Sequence, residues 1–118
     1  MTEANIAIRQ GQTWTLDVTY LDPDGVPIDL TGFDIRMQIR TSYADYSGGV
    51  APLADLTIGD GVAVVAAAGG NFQLTIAPAA TAALPIGAWY YDCEIESSGG
   101  EVTVLSYGRA VVAGEVTR

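Results

Sequence analysis

The chain has 118 residues, 49% of them hydrophobic, a formal net charge of −9 and no histidine. That length is one domain, residues 1–118, long enough to close a single core, and the apolar content excludes a chain disordered by composition. Five arginines face 14 acids, which argues against a nucleic-acid backbone or an anionic membrane surface as partner, since both need concentrated Lys or Arg.

No apolar run is long enough to cross a bilayer as a helix. Met1-Thr2-Glu3-Ala4-Asn5 lacks a basic region followed by an apolar one. The expectation is a protein without a secretory signal, folding where it is made or leaving by another route. The acidic excess is expected to keep the monomer soluble and apart until it meets its partner. One cysteine, Cys93, cannot form an internal disulfide, and without histidine a zinc-type ligand cluster is not expected.

In chain order, Asn5 to Arg9 reads as a weak strand. Trp14, Leu16, Val18 and Tyr20 then alternate with Thr13, Thr15, Asp17 and Thr19, and this period of two predicts a half-buried strand. Asp22-Pro23-Asp24-Gly25 is a turn, with proline pre-set for its second position and glycine free to take positive φ. After Gly32 comes the cleanest strand, Phe33, Ile35, Met37 and Ile39 alternating with Asp34, Arg36, Gln38 and Arg40. Thr41 to Pro52 has no period, and its length is one at which loops are more often functional.

Leu53–Ile58 and Val62–Val65 are weaker strands about Gly59-Asp60-Gly61. Gly69-Gly70-Asn71 leads into Phe72, Leu74 and Ile76. Pro78 to Leu84 is alanine-rich with a leading proline, which predicts a short helical crossover between two sheets. Trp89, Tyr91, Cys93 and Ile95 alternate with Tyr90, Asp92, Glu94 and Glu96. Beyond Ser97-Ser98-Gly99-Gly100, two weaker strands are predicted, Val102–Ser106 and Arg109–Ala113. Many short strands at near-regular spacing make an all-β sandwich or barrel.

No catalytic constellation is visible, and the expectation is a non-enzyme with no cofactor and no small-molecule substrate. The commonest general base, histidine, is absent. Cys93 is expected on an inward face, where apolar company raises its pKa and makes it inert. The serines lack a histidine or lysine to activate them. Glu94 and Glu96 share a face, and a solvated surface is the preferred reading over a glycosidase pair. Asp22, Asp24 and Asp29 could supply calcium oxygens, but a metal-free hairpin turn is the preferred reading there too. If the Phe33 and Trp89 strands are neighbours, Arg36 and Arg40 face Asp92, Glu94 or Glu96, a device that sets register. Trp14, Tyr20, Phe33, Phe72, Trp89 and Tyr91 fall at inward positions. Tyr43 and Tyr46 instead lie in the irregular loop and are the candidate partner-binding residues, since loop aromatics often anchor interfaces.

Several segments together resemble a known group: Ile8-Arg9-Gln10-Gly11-Gln12-Thr13, Leu21 through Gly32 with its Asp29-Leu30-Thr31-Gly32 step, Ile35 to Arg40, Ala80-Thr81-Ala82-Ala83-Leu84-Pro85-Ile86-Gly87, Tyr90 to Ile95, and Gly114 to Arg118. The chain resembles small tailed-bacteriophage virion proteins and the N-terminal domains that anchor receptor-binding or fibre proteins to phage baseplates. The resemblance implies an immunoglobulin-like antiparallel β-sandwich of about seven to nine strands. It also implies a virion structural protein that docks onto other virion proteins and copies of itself, on the tail, baseplate or fibre attachment. Capsid decoration is the alternative, and an extracellular carbohydrate- or adhesion-type module is the rival from another class. The anchors usually continue into a helical or fibrous region, so a sequence ending at Arg118 is expected to be the bare module. No catalytic residue is implied.

Overall fold

A computed structural model describes residues 2–42 and 51–115. Its elements are β1 (Thr2–Glu3), β2 (Ile6–Arg9), β3 (Trp14–Thr19), β4 (Asp34–Arg40), β5 (Ala54–Ile58), β6 (Gly61–Ala66), β7 (Asn71–Ile76), α1 (Pro78–Ala82), β8 (Gly87–Glu96) and β9 (Val102–Ala113). Each alternating run in the sequence is a strand, and the alanine-rich segment is the short helix joining β7 to β8.

The strands form two layers. One runs β5-β4-β8-β9, with β1 and β2 added in succession along the outer edge of β9, and the other runs β6-β7-β3. Strand pairing passes from one layer to the other at the β5–β6 corner, where Thr57 pairs with Gly61 and Ile58 with Val62. Most ladders are antiparallel, but the short β5–β6 pairing is parallel, and β1 and β2 run parallel to β9, with Ile6 beside Ala110 and Ile8 beside Val112.

The inward sides of both layers meet in one buried cluster. Ile35, Met37 and Ile39 of β4, Tyr91, Cys93 and Ile95 of β8, and Ile6, Ile8, Ala110 and Val112 of β2 and β9 pack with Val62, Phe72, Leu74 and Ile76 of β6 and β7. Burying each large aliphatic side chain contributes about 1.5–3 kcal/mol. At one end Thr81, fully buried, sets its hydroxyl 2.8 Å from the carbonyl of Gln12 and 3.0 Å from that of Pro78. This fastens α1 to the turn before β3.

Two sequence-based expectations change. The two last predicted strands are a single one, β9, because Tyr107 and Gly108 continue it. Glycine interrupts the apolar alternation here for a packing reason: a side-chain carbon at Gly108 would collide with the carbonyl oxygen of Ala4. Of the six aromatics expected inside, Phe72 and Tyr91 are buried, whereas Trp14, Tyr20, Phe33 and Trp89 are half-buried against the rim of the core. Trp14 opens β3 and Tyr20 follows its end, and β3 is the edge strand of a three-stranded layer, paired among the described residues with β7 alone.

Candidate functional site

The two candidate partner-binding residues, Tyr43 and Tyr46, lie outside the described residues. The strands bordering that loop bring the rest of the chemistry into view on the outer face of β4, β8 and β9. The register sets Arg40 beside Tyr90 and Tyr90 beside Arg109. The Arg109 guanidinium lies 4.4 Å from the Tyr90 ring centroid and donates to the carbonyls of Ala88 at 2.9 Å and Trp89 at 3.3 Å. Arg109 therefore binds its own sheet through a cation–π contact and backbone acceptors.

Towards the other end of β8, Arg36 stands among three carboxylates: Glu96 at 3.4 Å, Glu94 at 3.5 Å and Asp34 at 3.8 Å. The neighbouring placement of these strands and the pairing of Arg36 with Glu94 and Glu96 are as the sequence predicts. Glu94 and Glu96 thus flank an arginine on an open surface. Between the two arginine sites, Asp92 is half-buried and its carboxyl is raised above the usual carboxylate range, first by burial and then by the charge of Glu94, with Arg40 opposing.

The remaining reactive groups are occupied in structural roles. Cys93 is buried, and its thiol is pushed up to about 12 by burial, with the charges of Asp92 and Glu94 adding to the effect. Such a thiol has almost no thiolate to react. Asp22 accepts the N–H groups of Asp24 and Val26, both at 2.9 Å, closing its own turn. Asp29 accepts the Thr31 hydroxyl at 2.7 Å and the Thr31 N–H at 2.9 Å, and these bonds hold its carboxyl below the usual range. Both are side-chain turns of the kind aspartate forms locally. Among the described residues no group of three or more acidic or cysteine side chains is placed to hold a metal ion.

What the sequence reading passed over is the edge of the second layer. Beyond Val62, no strand among the described residues pairs with the outer side of β6. Val64 and Val65 are exposed there, at 38% and 68%, with exposed Ile58 at the adjoining corner. Val65 stands at a bulge, where the ladder to β7 shifts register between Val64 and Ala66. A readable signal existed: there is no Asp, Glu, Lys or Arg between Gly61 and Tyr91.

No family model matches the chain, and no curated protein matches it. Among solved structures it is similar to a crystal structure of a chicken TCR, at 16% identity and a TM-score of 0.52, over 99% of this chain and 57% of that one. The chain therefore spans little more than half the length of that structure's chain. A likeness at this identity shows the fold, which is an immunoglobulin-like β-sandwich with one short helix among the described residues.

Proposed function

We propose that this protein is a non-catalytic docking module of a tailed-phage virion, placed on the tail, baseplate or fibre attachment. The observation that carries the docking part is the edge of β6, open among the described residues and uncharged and apolar on a chain of net charge −9. An unpaired strand edge offers a row of backbone donors and acceptors to another chain. The engaged or buried state of Cys93, Glu94, Glu96, Asp22 and Asp29 supports a role without chemistry.

The virion part rests on the resemblance to phage structural proteins of the Asp29-Leu30-Thr31-Gly32 step and of the step from Thr81-Ala82-Ala83-Leu84-Pro85 to Tyr90-Tyr91-Asp92. Both steps sit at structural joints. Leu30 is buried and donates its N–H to Ala67 at 2.9 Å, and Thr81 fastens the helical crossover. Fold by itself does not assign the role, since sandwiches host many.

Mass spectrometry of separated heads and tails from purified particles, followed by averaged electron-microscopy density, tests the reading. Abundant copies in the tail fraction support it. Copies confined to heads replace it with capsid decoration, and absence from both removes the virion role.

A further inference from the structure

We infer that the edge of β6 left unpaired among the described residues pairs with the same edge of a second copy of this chain, antiparallel and about a two-fold axis, so that two three-stranded layers become one continuous sheet. The inference rests on the docking reading and names one partner for it.

Charge selects the partner. Two copies at −9 repel one another at most approaches. Neither β6 nor β7 contains a charged residue, so the β6 side is where like copies meet least repulsion. The other border of this layer differs, because β3 carries Asp17 on its outward side, bonded to Gln73 at 2.9 Å. A basic partner would find nothing to pair with along Ala63–Ala66. An identical uncharged edge fits, and a two-fold axis makes it self-complementary.

The edge also lacks most devices that keep strands from pairing. Gly61–Ala66 has no Lys, no acid and no Pro. One device is present, the bulge at Val65, which adds local twist. That confines pairing to a short stretch about Val64 and Val65, bounded by Ala67, whose carbonyl already accepts from Leu30. The bulge also turns Val65 out, where it and Ile58 add apolar contact between copies.

Sedimentation of the full chain over a wide concentration range tests this. The expected result is a reversible dimer that strengthens with salt as repulsion is screened. Val65→Glu, at an exposed position, should leave the melting temperature of the dilute monomer unchanged and weaken the dimer roughly tenfold or more, because it sets like charges face to face. Under mild oxidation Val65→Cys should link two copies, while Val111→Cys, on the outer face of the other layer, should not. A chain that stays monomeric at every concentration and salt overturns the pairing, as does a dimer indifferent to Val65→Glu. The two readings fail separately: a monomer that still occurs in tail fractions sinks the pairing alone, and a dimer absent from particles sinks the virion role alone.

Discussion

The Tyr91 hydroxyl, in the middle of β8, donates to the backbone carbonyl of Ala4, 87 positions away in sequence. Ser106 Oγ lies 2.9 Å from the same hydroxyl, which leaves Ser106 to donate to it. The first strands are thus held by a parallel ladder on β9 and by this buried anchor. Tyr91→Phe keeps the packing and deletes the bond. It should cost about 1 kcal/mol, or roughly 3–5 °C in Tm for a domain of this size. Amide exchange should accelerate first at Ile6 and Ile8. Equal acceleration across β7 would mean that the bond supports the whole core and not the N-terminal strands.

Two glycines in turns separate conformational cost from collision. Gly25 has φ +82 with open space around it, whereas Gly70 has φ +69 and an added side-chain carbon would stand 2.6 Å from the Tyr20 carbonyl and 3.0 Å from that of Ile28. Gly25→Ala should lose about 1–2 kcal/mol, the cost of a left-handed conformation for an L-residue. Gly70→Ala meets backbone that cannot give way and should lose more than about 3 kcal/mol. Urea denaturation of both variants checks the ranking, and equal losses would remove the collision argument.

Asp92 gives the fold a definite pH response. Its carboxyl is raised above its ordinary value of 3.8 by burial first, then by Glu94. A raised carboxyl means the native state binds the proton more tightly than the unfolded chain does. The ionised form therefore destabilises the fold above the raised value, and the penalty disappears as pH falls through that value to 3.8. Asp92→Asn should stabilise the protein at pH 7 and be neutral below the ordinary carboxylate range. Denaturation from pH 3 to 7 measures this, and a gain that persists at the acid end would assign it to hydrogen bonding and not to charge.

The parts legible in the sequence are those that repeat locally. Ile35, Met37 and Ile39 point one way and Arg36, Gln38 and Arg40 the other, so a period of two gives both the strand and its faces. The pairing of β4 with β8 was readable too, because Arg36 needs acids opposite and Glu94 and Glu96 supply them. The parallel placement of Ile6 beside Ala110 was not, since no local pattern links positions so distant. The unity of β9 was hidden by Gly108, whose missing side chain answers to Ala4 and not to its own strand. Whether one side of β6 is open is a property of pairing, so Val62–Val65 reads as a weak strand whichever way its edge faces. The candidate site drawn from loop aromatics, Tyr43 and Tyr46, lies outside the described residues.

Arg36 tests how much an exposed charge cluster contributes. Its guanidinium reaches Asp34, Glu94 and Glu96, and all four side chains are about one-third to one-half exposed. Arg36→Ala should cost about 1 kcal/mol or less at low salt. The loss should shrink in molar salt, where charges are screened within about 3 Å. A loss unchanged by salt would show that the arginine stem, packed on the sheet, matters more than its charge.

Cys93 makes the core itself observable. With its thiol held near 12 against an ordinary 9.0 and 2% of its surface exposed, alkylating reagents at pH 8 should not modify the native protein and should label it rapidly in urea. The labelling rate then reports opening of the β4–β8 region. Raising the pH adds a second signature. Above 9 the unfolded thiol ionises while the native one keeps its proton, so stability should fall as pH rises from 9 towards 12. Cys93→Ala, which removes the titrating group, should flatten that part of the decline. Cys93→Ser places a hydroxyl among Met37, Tyr91 and Ile95 and should cost about 1–3 kcal/mol if the hydroxyl finds no partner there. Rapid labelling of the native protein at pH 8 would refute the buried placement of Cys93 and, with it, the inward face assigned to β8.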